Sequence, residues 1–158
     1  MILIIYDSVF GNTEKVATLL AAEIELLGKP SLARTVANVT DEEIKTAEVI
    51  VLGSPTRGFV PTDAMKLFLT EKALLLTNKK VSAFDTRLDP KAVQAKIMGW
   101  FVKKPSYAND YFEKEFEHAH AQLVVVPNAF YVRKGKGPLS KETPAQVTSF
   151  ATNLVKIK

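Results

Sequence analysis

The chain has 158 residues, a formal net charge of +4 at pH 7 and an apolar share of 47%. This length predicts a single domain over residues 1–158 with a substantial core, and no apolar run approaches the roughly 20 residues that span a bilayer. Because cysteine is absent, disulfides, thiolate-held iron–sulfur clusters and cysteine nucleophiles are excluded.

The start of the chain and its charge pattern indicate location and partners. Met1 leads directly into strand-forming residues without a basic region or cleavage site, so we expect no signal peptide and a cytoplasmic protein. The lysines are scattered among acids, and the aromatic residues form no base-stacking platform. We therefore expect neither a nucleic-acid nor a membrane partner.

The first two predicted elements flank residues 8–13. The apolar run at 2–6 predicts a buried strand, and a helix is predicted over 13–27. Apolar residues recur there at the three- and four-residue steps of one helix face: Val16, Leu19, Leu20, Ile24 and Leu27.

Residues 8–13 suit a phosphate. Backbone N–H groups at a helix start are unpaired and carry partial positive charge. The hydroxyls of Ser8 and Thr13 and the Asn12 amide can add hydrogen bonds, and Gly11 allows close approach of the backbone. A turn with a helix cap uses the same residue types, so this segment alone leaves both interpretations open.

Strand and helix signals alternate in the next part of the chain. A weaker strand is predicted over 31–36, and a polar turn follows at 38–43. The apolar run at 48–53 predicts a strand buried on both sides. A loop at 54–61 ends in a proline suited to helix entry, and a helix is predicted over 62–76.

The remaining elements include one more helical pattern than the fold needs. A fourth strand is predicted over 80–85, with its exit loop at 86–89. Two helical patterns follow, the first marked by Val93, Ile97, Trp100 and Phe101 and the second by Phe112, Phe116 and Ala119. The fifth strand is predicted over 122–127, extended through 129–132, and a last helix over 144–155.

This order predicts an α/β fold with a parallel sheet covered by helices on both faces. In such folds, ligands bind beyond the carboxyl ends of the strands, where the strand order reverses. The loops at 8–13, 54–61 and 86–89 are therefore expected to converge.

Four passages of the sequence resemble the flavodoxin family. They are Tyr6-Asp-Ser-Val-Phe-Gly-Asn-Thr-Glu14, Gly53-Ser-Pro-Thr-Arg-Gly-Phe59, Ala83-Phe-Asp-Thr-Arg87 and Gly137-Pro-Leu139. The resemblance covers nearly the whole chain, and it implies a flavodoxin-like, doubly wound, five-stranded parallel sheet of order 2-1-3-4-5 that binds FMN.

The resemblance also implies the residues of the FMN site. The phosphate would be held by Ser8, Val9, Phe10, Gly11, Asn12 and Thr13. One side of the flavin ring would be lined by Ser54, Pro55, Thr56, Arg57, Gly58 and Phe59. The other side would be lined by Asp85, Thr86, Arg87 and Leu88. The first loop lacks the lysine of a nucleoside-triphosphate loop, which agrees with a phosphomonoester held without metal.

Two features of the ring site follow from this comparison. Gly58 would allow the peptide beside the flavin to turn over and stabilise the one-electron reduced flavin; an ordinary turn glycine is the alternative. Many flavodoxins hold the ring between two aromatic side chains, whereas here Phe59 has no aromatic counterpart in 86–89. Trp100 or Tyr107 is a candidate, although the spacing of Trp100 also fits a packing face.

The charge of the chain also departs from the family pattern. Electron-transfer flavodoxins are typically acidic, but this chain is slightly basic and has Arg57 and Arg87 on loops predicted to flank the ring. We expect these arginines to stabilise the reduced flavin anion and to ease the second reduction. The alternative is that both point into solvent.

Other kinds of site are not supported. His118 and His120 face different directions on a helix, so no metal site is predicted. Asp7 stands without the acidic cluster of a phospho-acceptor domain, and no Ser–His–Asp arrangement can be argued. No catalytic side chain is predicted.

The resemblance implies an FMN protein that shuttles electrons between a reductase and an acceptor, as a monomer or weak dimer. The flavin would supply the chemistry, and the protein would orient it and tune its potentials. Two alternatives stay open. One is an FMN-dependent NAD(P)H:quinone reductase-like enzyme, because residues 54–57 also resemble loops of that group. The other is a flavodoxin-like interaction module without cofactor.

Overall fold

Strands and helices alternate along residues 1–89 and 107–157, which the computed structural model describes. In chain order they are β1 (Ile2–Tyr6), α1 (Asn12–Leu26), β2 (Ser31–Thr35), α2 (Asp41–Thr46), β3 (Val49–Pro55), α3 (Asp63–Leu76), β4 (Lys80–Leu88), α4 (Ala108–His118), β5 (Gln122–Leu123), β6 (Asn128–Val132) and α5 (Thr143–Val155).

The strands form one parallel sheet in the order β2-β1-β3-β4-β5, and β6 pairs with β4 beyond β5. This arrangement confirms the predicted order 2-1-3-4-5. β1 lies between β2 and β3, and each of its five residues is buried. Its apolar run is therefore continuous and not alternating, as expected for a central parallel strand.

Helices cover both faces of the sheet, as predicted. Successive side chains of a strand point to opposite faces, so Leu3 and Ile5 pack with α2, α3 and α4, whereas Ile2 and Ile4 pack with α1 and α5. Two buried layers result, one on each side of the sheet, and they hold the carboxyl ends of the strands in fixed relative positions.

The fourth strand is longer than predicted. β4 continues through Thr86, Arg87 and Leu88, which the sequence placed in an exit loop. β6 pairs with the whole extension, and Thr86 also pairs with Pro55 of β3. A strand that gains such pairing from a distant segment continues past the point where the local sequence predicts its end.

The fifth strand is interrupted, and the prediction of a continuous strand over 122–127 was wrong. After β5, the Val124 N–H still donates to the Val81 carbonyl at 3.0 Å, and the next ladder pair is Phe84 with Asn128. Pro127 has no N–H to donate to a ladder, which is one reason for the break. The Ser82 hydroxyl donates to the Val125 carbonyl at 2.9 Å and takes the place of a ladder bond.

Two other predictions concern helices. The turn predicted at 38–43 contains the start of α2, where Thr40 and Glu43 form a capping box. The second helical pattern is α4, and its Phe112 and Phe116 are buried. The first pattern, with Trp100, lies outside the described residues.

Candidate functional site

A cleft of about 280 Å³ lies at the carboxyl ends of β1, β3 and β4. It opens beside the boundary between β1 and β3, which is the switch point of the sheet. From β1 the chain continues to β2 on one side, and from β3 it continues to β4 on the other side. All three segments that were predicted to converge contribute to its walls, together with Val132 and Gly135. Ligands of doubly wound folds bind at this position.

The first loop contributes Val9, Phe10, Asn12 and Thr13 to the cleft, while Ser8 and Gly11 do not line it. Gly11 is the cap residue of α1. The Ser8 hydroxyl accepts a hydrogen bond from the Glu14 N–H at 3.3 Å, so it satisfies one donor in the first turn of α1.

The start of α1 nevertheless keeps donors available. The Lys15 N–H bonds to the Gly11 carbonyl, and the Glu14 N–H bonds to Ser8. Within residues 1–89 and 107–157, the backbone N–H groups of Asn12 and Thr13 have no acceptor. Two orphan amides at a helix start, in residues that line a cleft, are suited to an anionic group.

Two side chains of this loop join the cleft walls to each other. The Thr13 and Thr86 hydroxyls lie 2.8 Å apart, and both residues are buried. One hydroxyl hydrogen makes that bond, so the other remains free to donate to a ligand. The Asn12 amide instead donates to the Lys136 carbonyl at 3.1 Å. Asn12 therefore anchors a neighbouring turn with one of the two N–H donors of its amide.

The second loop contributes Pro55, Thr56, Arg57 and Gly58. Arg57 and Val60 exchange two backbone hydrogen bonds across the corner residues Gly58 and Phe59, whose φ angles are 55° and 71°. Positive φ at both corners is the signature of a type I′ hairpin turn, a conformation that glycine adopts without steric cost and that is uncommon for phenylalanine.

Phe59 and Ser54 lie outside the cleft wall. The Phe59 side chain is 56% exposed beside the cleft. Ser54 is fully buried, and its hydroxyl accepts a hydrogen bond from the Thr62 N–H at 3.1 Å. The side chain of Ser54 thus fixes the entry to α3, so its predicted contact with a ring ligand is not supported.

Strand β4 contributes Thr86, Arg87 and Leu88, but not Asp85. The Asp85 carboxylate is fully buried, and Arg87 donates to both of its oxygens at 2.6 Å. The Thr56 hydroxyl and the Asn109 N–H also donate to it, at 3.1 and 3.2 Å. The Asp85 side chain is therefore engaged behind the cleft wall, and its predicted place in the ring site stays a prediction.

Burial raises the pKa of the Asp85 carboxyl above its ordinary value, against the lowering effects of Arg87, the Asn109 N–H and Thr56. Desolvation disfavours the charged form of a carboxyl, whereas a cation and hydrogen-bond donors favour it. The direction of this shift means that burial costs the ionised form more than its partners return.

The start of α4 is tied to this network, which the sequence did not indicate. The Ala108 N–H donates to the Thr56 hydroxyl at 3.0 Å, and the Tyr107 ring lies 3.6 Å from the Arg87 guanidinium carbon. Tyr107 thus stacks on Arg87 and does not line the cleft. Its alternative assignment as a ring-stacking aromatic is not supported.

The turn at 134–137 is a further part of the site that sequence reasoning missed. The Gly137 N–H closes the turn onto the Lys134 carbonyl at 2.9 Å, and Gly135 lines the cleft. A Cβ built on Gly137 would lie 2.8 Å from Asn12 Oδ1, and the φ of Gly137 is 112°. Only the glycine-rich, basic composition of this segment could have signalled its position.

The mouth of the cleft combines exposed apolar side chains with cations. Val9, Phe10 and Leu88 are each more than 40% exposed, which is unusual for clustered large apolar residues. The Arg57 guanidinium carbon and the Lys136 Nζ lie 5.3 and 5.6 Å from the centre of the Phe10 ring. The Arg87 side chain is only 12% exposed, so the alternative that both arginines point into solvent is wrong for Arg87.

Neither a metal centre nor a membrane helix occurs in the described parts of the chain. Residues 1–89 and 107–157 contain no group of three or more His, Asp or Glu side chains placed to hold an ion. Across the same residues, every helix is too short or too polar to cross a bilayer.

Comparison with known proteins supports the assignment of the fold. The sequence model of the family described as flavodoxin domain matches residues 3–136, and no curated protein sequence matches. Oxidised flavodoxin 1 from Bacillus cereus superposes with a TM-score of 0.77 at 19% identity, over 99% of this chain and 98% of that one. Two-electron reduced flavodoxin from Megasphaera elsdenii gives 0.68 at 22% identity, over 96% and 99%.

A larger enzyme contains the same fold. The rubredoxin:oxygen oxidoreductase of Desulfovibrio gigas gives a TM-score of 0.73 at 18% identity, over 98% of this chain and 35% of that one. At such identities the superpositions show the fold alone. The sequence-family match extends over most of the chain and includes the first two cleft loops. The chain therefore belongs to the flavodoxin domain family.

Proposed function

We propose that this protein binds FMN in the cleft and carries electrons between a reductase and an acceptor protein. The supporting observation is that three separate segments meet at the switch point of the sheet, where the start of α1 presents two unpaired N–H groups. Family membership agrees with this proposal, since flavodoxins transfer electrons to redox partners.

The residues present fit a phosphate ester attached to a flat ring. The Asn12 and Thr13 N–H groups and the free hydroxyl hydrogen of the Thr13–Thr86 pair would hold the phosphate. Pro55 to Gly58 would bind one side of the ring and Thr86 to Leu88 the other. The cleft volume is near the lower end of the usual range for ligand sites, about 300–1,000 Å³, and the mouth is open.

Bound FMN would supply one- and two-electron transfer, and this chain would orient it. The apolar side chains of Val9, Phe10 and Leu88 exclude water from the rim, and the Asp85–Arg87 pair holds the β4 wall in place.

Absorbance of the purified protein tests the proposal. We expect a yellow protein with flavin absorbance near one FMN per chain, or a colourless protein that becomes yellow with added FMN. Colourless protein that takes up no FMN would contradict FMN binding and favour an interaction module. Rapid oxidation of NADH or NADPH by the yellow protein alone would contradict the carrier assignment and favour the quinone reductase-like enzyme.

A further inference from the structure

The mouth of the cleft carries a group of cations that the proposed function does not use. Arg57, Lys134 and Lys136, here called the basic collar, are all exposed. Within residues 1–89 and 107–157 none of the three forms an ion pair with a carboxylate. Unpaired exposed cations on a rim are available to a partner.

Two independent contacts fix the collar at the cleft. Arg57 and Lys136 come from different loops, yet both lie within 6 Å of the Phe10 ring centre. The turn that carries Lys134 and Lys136 is held on the first loop by the hydrogen bond from Asn12 to the Lys136 carbonyl. Gly137 packs so closely on Asn12 that a Cβ would lie 2.8 Å from its oxygen.

Other charges near the mouth leave an excess of positive charge. Arg87 is neutralised by Asp85, Asp63 in the hollow beside Arg57 is paired with Lys66, and the phosphate of bound FMN would add a charge of about −2. The collar contributes three positive charges, so a net positive potential remains. The neighbouring exposed apolar side chains of Val9, Phe10 and Leu88 supply a dehydrated centre within this charged rim.

We propose that the mouth of the cleft is the docking surface for an acidic partner protein, whose carboxylates face the basic collar while its apolar contact covers Phe10; this inference rests on the proposed carrier function. A second copy of this chain is disfavoured, because two collars would repel each other. The surface around the cleft that would hold FMN would thus select a negatively charged electron donor or acceptor.

The first test maps anion binding and does not require FMN. Paramagnetic hexacyanochromate(III) is added to the ¹⁵N-labelled protein at low salt, and amide line broadening is measured. We expect broadening concentrated at residues 9–10, 57–59 and 134–137, and weaker broadening there with the cationic hexaamminechromium(III). Uniform broadening over the surface, or broadening centred elsewhere, overturns the docking surface even if FMN binds.

The second test measures electron exit from the FMN-loaded protein. After reduction with dithionite and removal of the excess, the protein is mixed with hexacyanoferrate(III), which takes up one electron to become hexacyanoferrate(II). We expect the second-order rate constant to fall at least about tenfold between 10 and 500 mM salt. With cationic tris(phenanthroline)cobalt(III) as oxidant, the rate constant should rise with salt. A hexacyanoferrate rate that is independent of salt overturns the proposal.

A matched pair of variants separates the collar from net charge. Lys134→Gln/Lys136→Gln removes two collar charges without changing a side chain that lines the cleft. Lys114→Gln/Lys156→Gln removes two exposed charges, one within α4 and one directly after α5. We expect the first variant to slow hexacyanoferrate at least about threefold at low salt and the second to change it less than about 1.5-fold.

Three further outcomes test the role of the collar, the class of partner and the proposed function. Equal effects of the two variants would show that total charge governs the rate and would overturn the collar. Binding to phosphatidylglycerol vesicles or duplex DNA at 150 mM salt that is lost in Lys134→Gln/Lys136→Gln would overturn the choice of a protein partner. Failure of FMN loading would contradict the proposed function. The line broadening by hexacyanochromate(III) would still decide whether the anion-binding surface exists.

Discussion

Replacement of Asp85 by alanine is expected to destabilise the protein strongly, because it leaves Arg87 without its anion. Asp85 is fully buried, and the Arg87 side chain is 12% exposed and bonded to both carboxylate oxygens at 2.6 Å. Removal of one partner of a buried ion pair costs about 3–5 kcal/mol. The Asn109 N–H and the Thr56 hydroxyl also lose their acceptor, so the upper half of that range is expected.

A double substitution tests the energy of coupling between Asp85 and Arg87. In a buried ion pair, desolvation of both charges offsets much of their mutual attraction, and burial accordingly raises the pKa of Asp85 despite the adjacent Arg87. Removal of both charges in Asp85→Ala/Arg87→Met is therefore expected to cost about 2 kcal/mol less than the sum of the two single changes. Methionine keeps an apolar chain beside Tyr107, which limits the loss of packing there.

Urea unfolding followed by circular dichroism, without added FMN, measures the three variants against the original protein. A cost below about 1 kcal/mol for Asp85→Ala would show that Arg87 finds another partner or moves to solvent. Additive costs in the double variant would show that the 2.6 Å contacts carry no coupling. Either result would refute this account of the β4 wall.

Four other results are expected from the geometry. Because the pKa of Asp85 is raised in the folded state, the folded protein keeps this proton at pH values where the unfolded chain has released it. The contribution of Asp85 to the free energy of unfolding therefore falls as pH rises from about 4 through the folded pKa. Urea titrations at several pH values should show a flatter dependence of that free energy on pH in Asp85→Asn. Gly137→Ala should lower the free energy of unfolding by about 1–3 kcal/mol, since its φ is 112° and the new Cβ meets Asn12. Thr13→Val should weaken FMN binding about tenfold in fluorescence titrations but leave riboflavin almost unchanged, because the Thr13 side chain would contact the phosphate and not the ring; an equal loss for both ligands would contradict that role. Phe59→Asn should raise the urea midpoint by the equivalent of about 1 kcal/mol, since asparagine tolerates the φ of 71° better than phenylalanine, and a lowered midpoint would show that the exposed ring makes a stabilising contact.

Local chemistry was sufficient to predict much of this molecule. The uninterrupted apolar run of β1 indicated a strand buried on both sides, and the spacing along α1 indicated its inward face. The small and hydroxylated residues at 8–13 indicated a tight strand-to-helix turn. Each of these signals lies within a few residues of the feature that it predicts, so no distant contact was needed.

The roles of individual site residues depended on partners far away in the chain. Asp85 and Ser54 are residue types that often contact ligands. In this fold the Asp85 carboxylate already accepts hydrogen bonds from Arg87, Thr56 and Asn109, and the Ser54 hydroxyl accepts one from the Thr62 N–H. The end of β4 was also misplaced, because β6 supplies its pairing from more than 40 residues further along.

The sequence by itself determined the class of fold, the order of its elements and the three segments that meet at the switch point. The reason is that hydrophobic periodicity and turn residues depend on neighbouring residues in the chain. Only the tertiary structure decided which polar groups are already satisfied and which remain free. Thr13 pairs with Thr86, Asn12 donates to the Lys136 carbonyl, and the donors left for a ligand include the Asn12 and Thr13 backbone N–H groups and one hydroxyl hydrogen of the Thr13–Thr86 pair. The physical reason is that a buried polar group takes whatever partner folding brings to it, and those partners lie up to 124 residues apart.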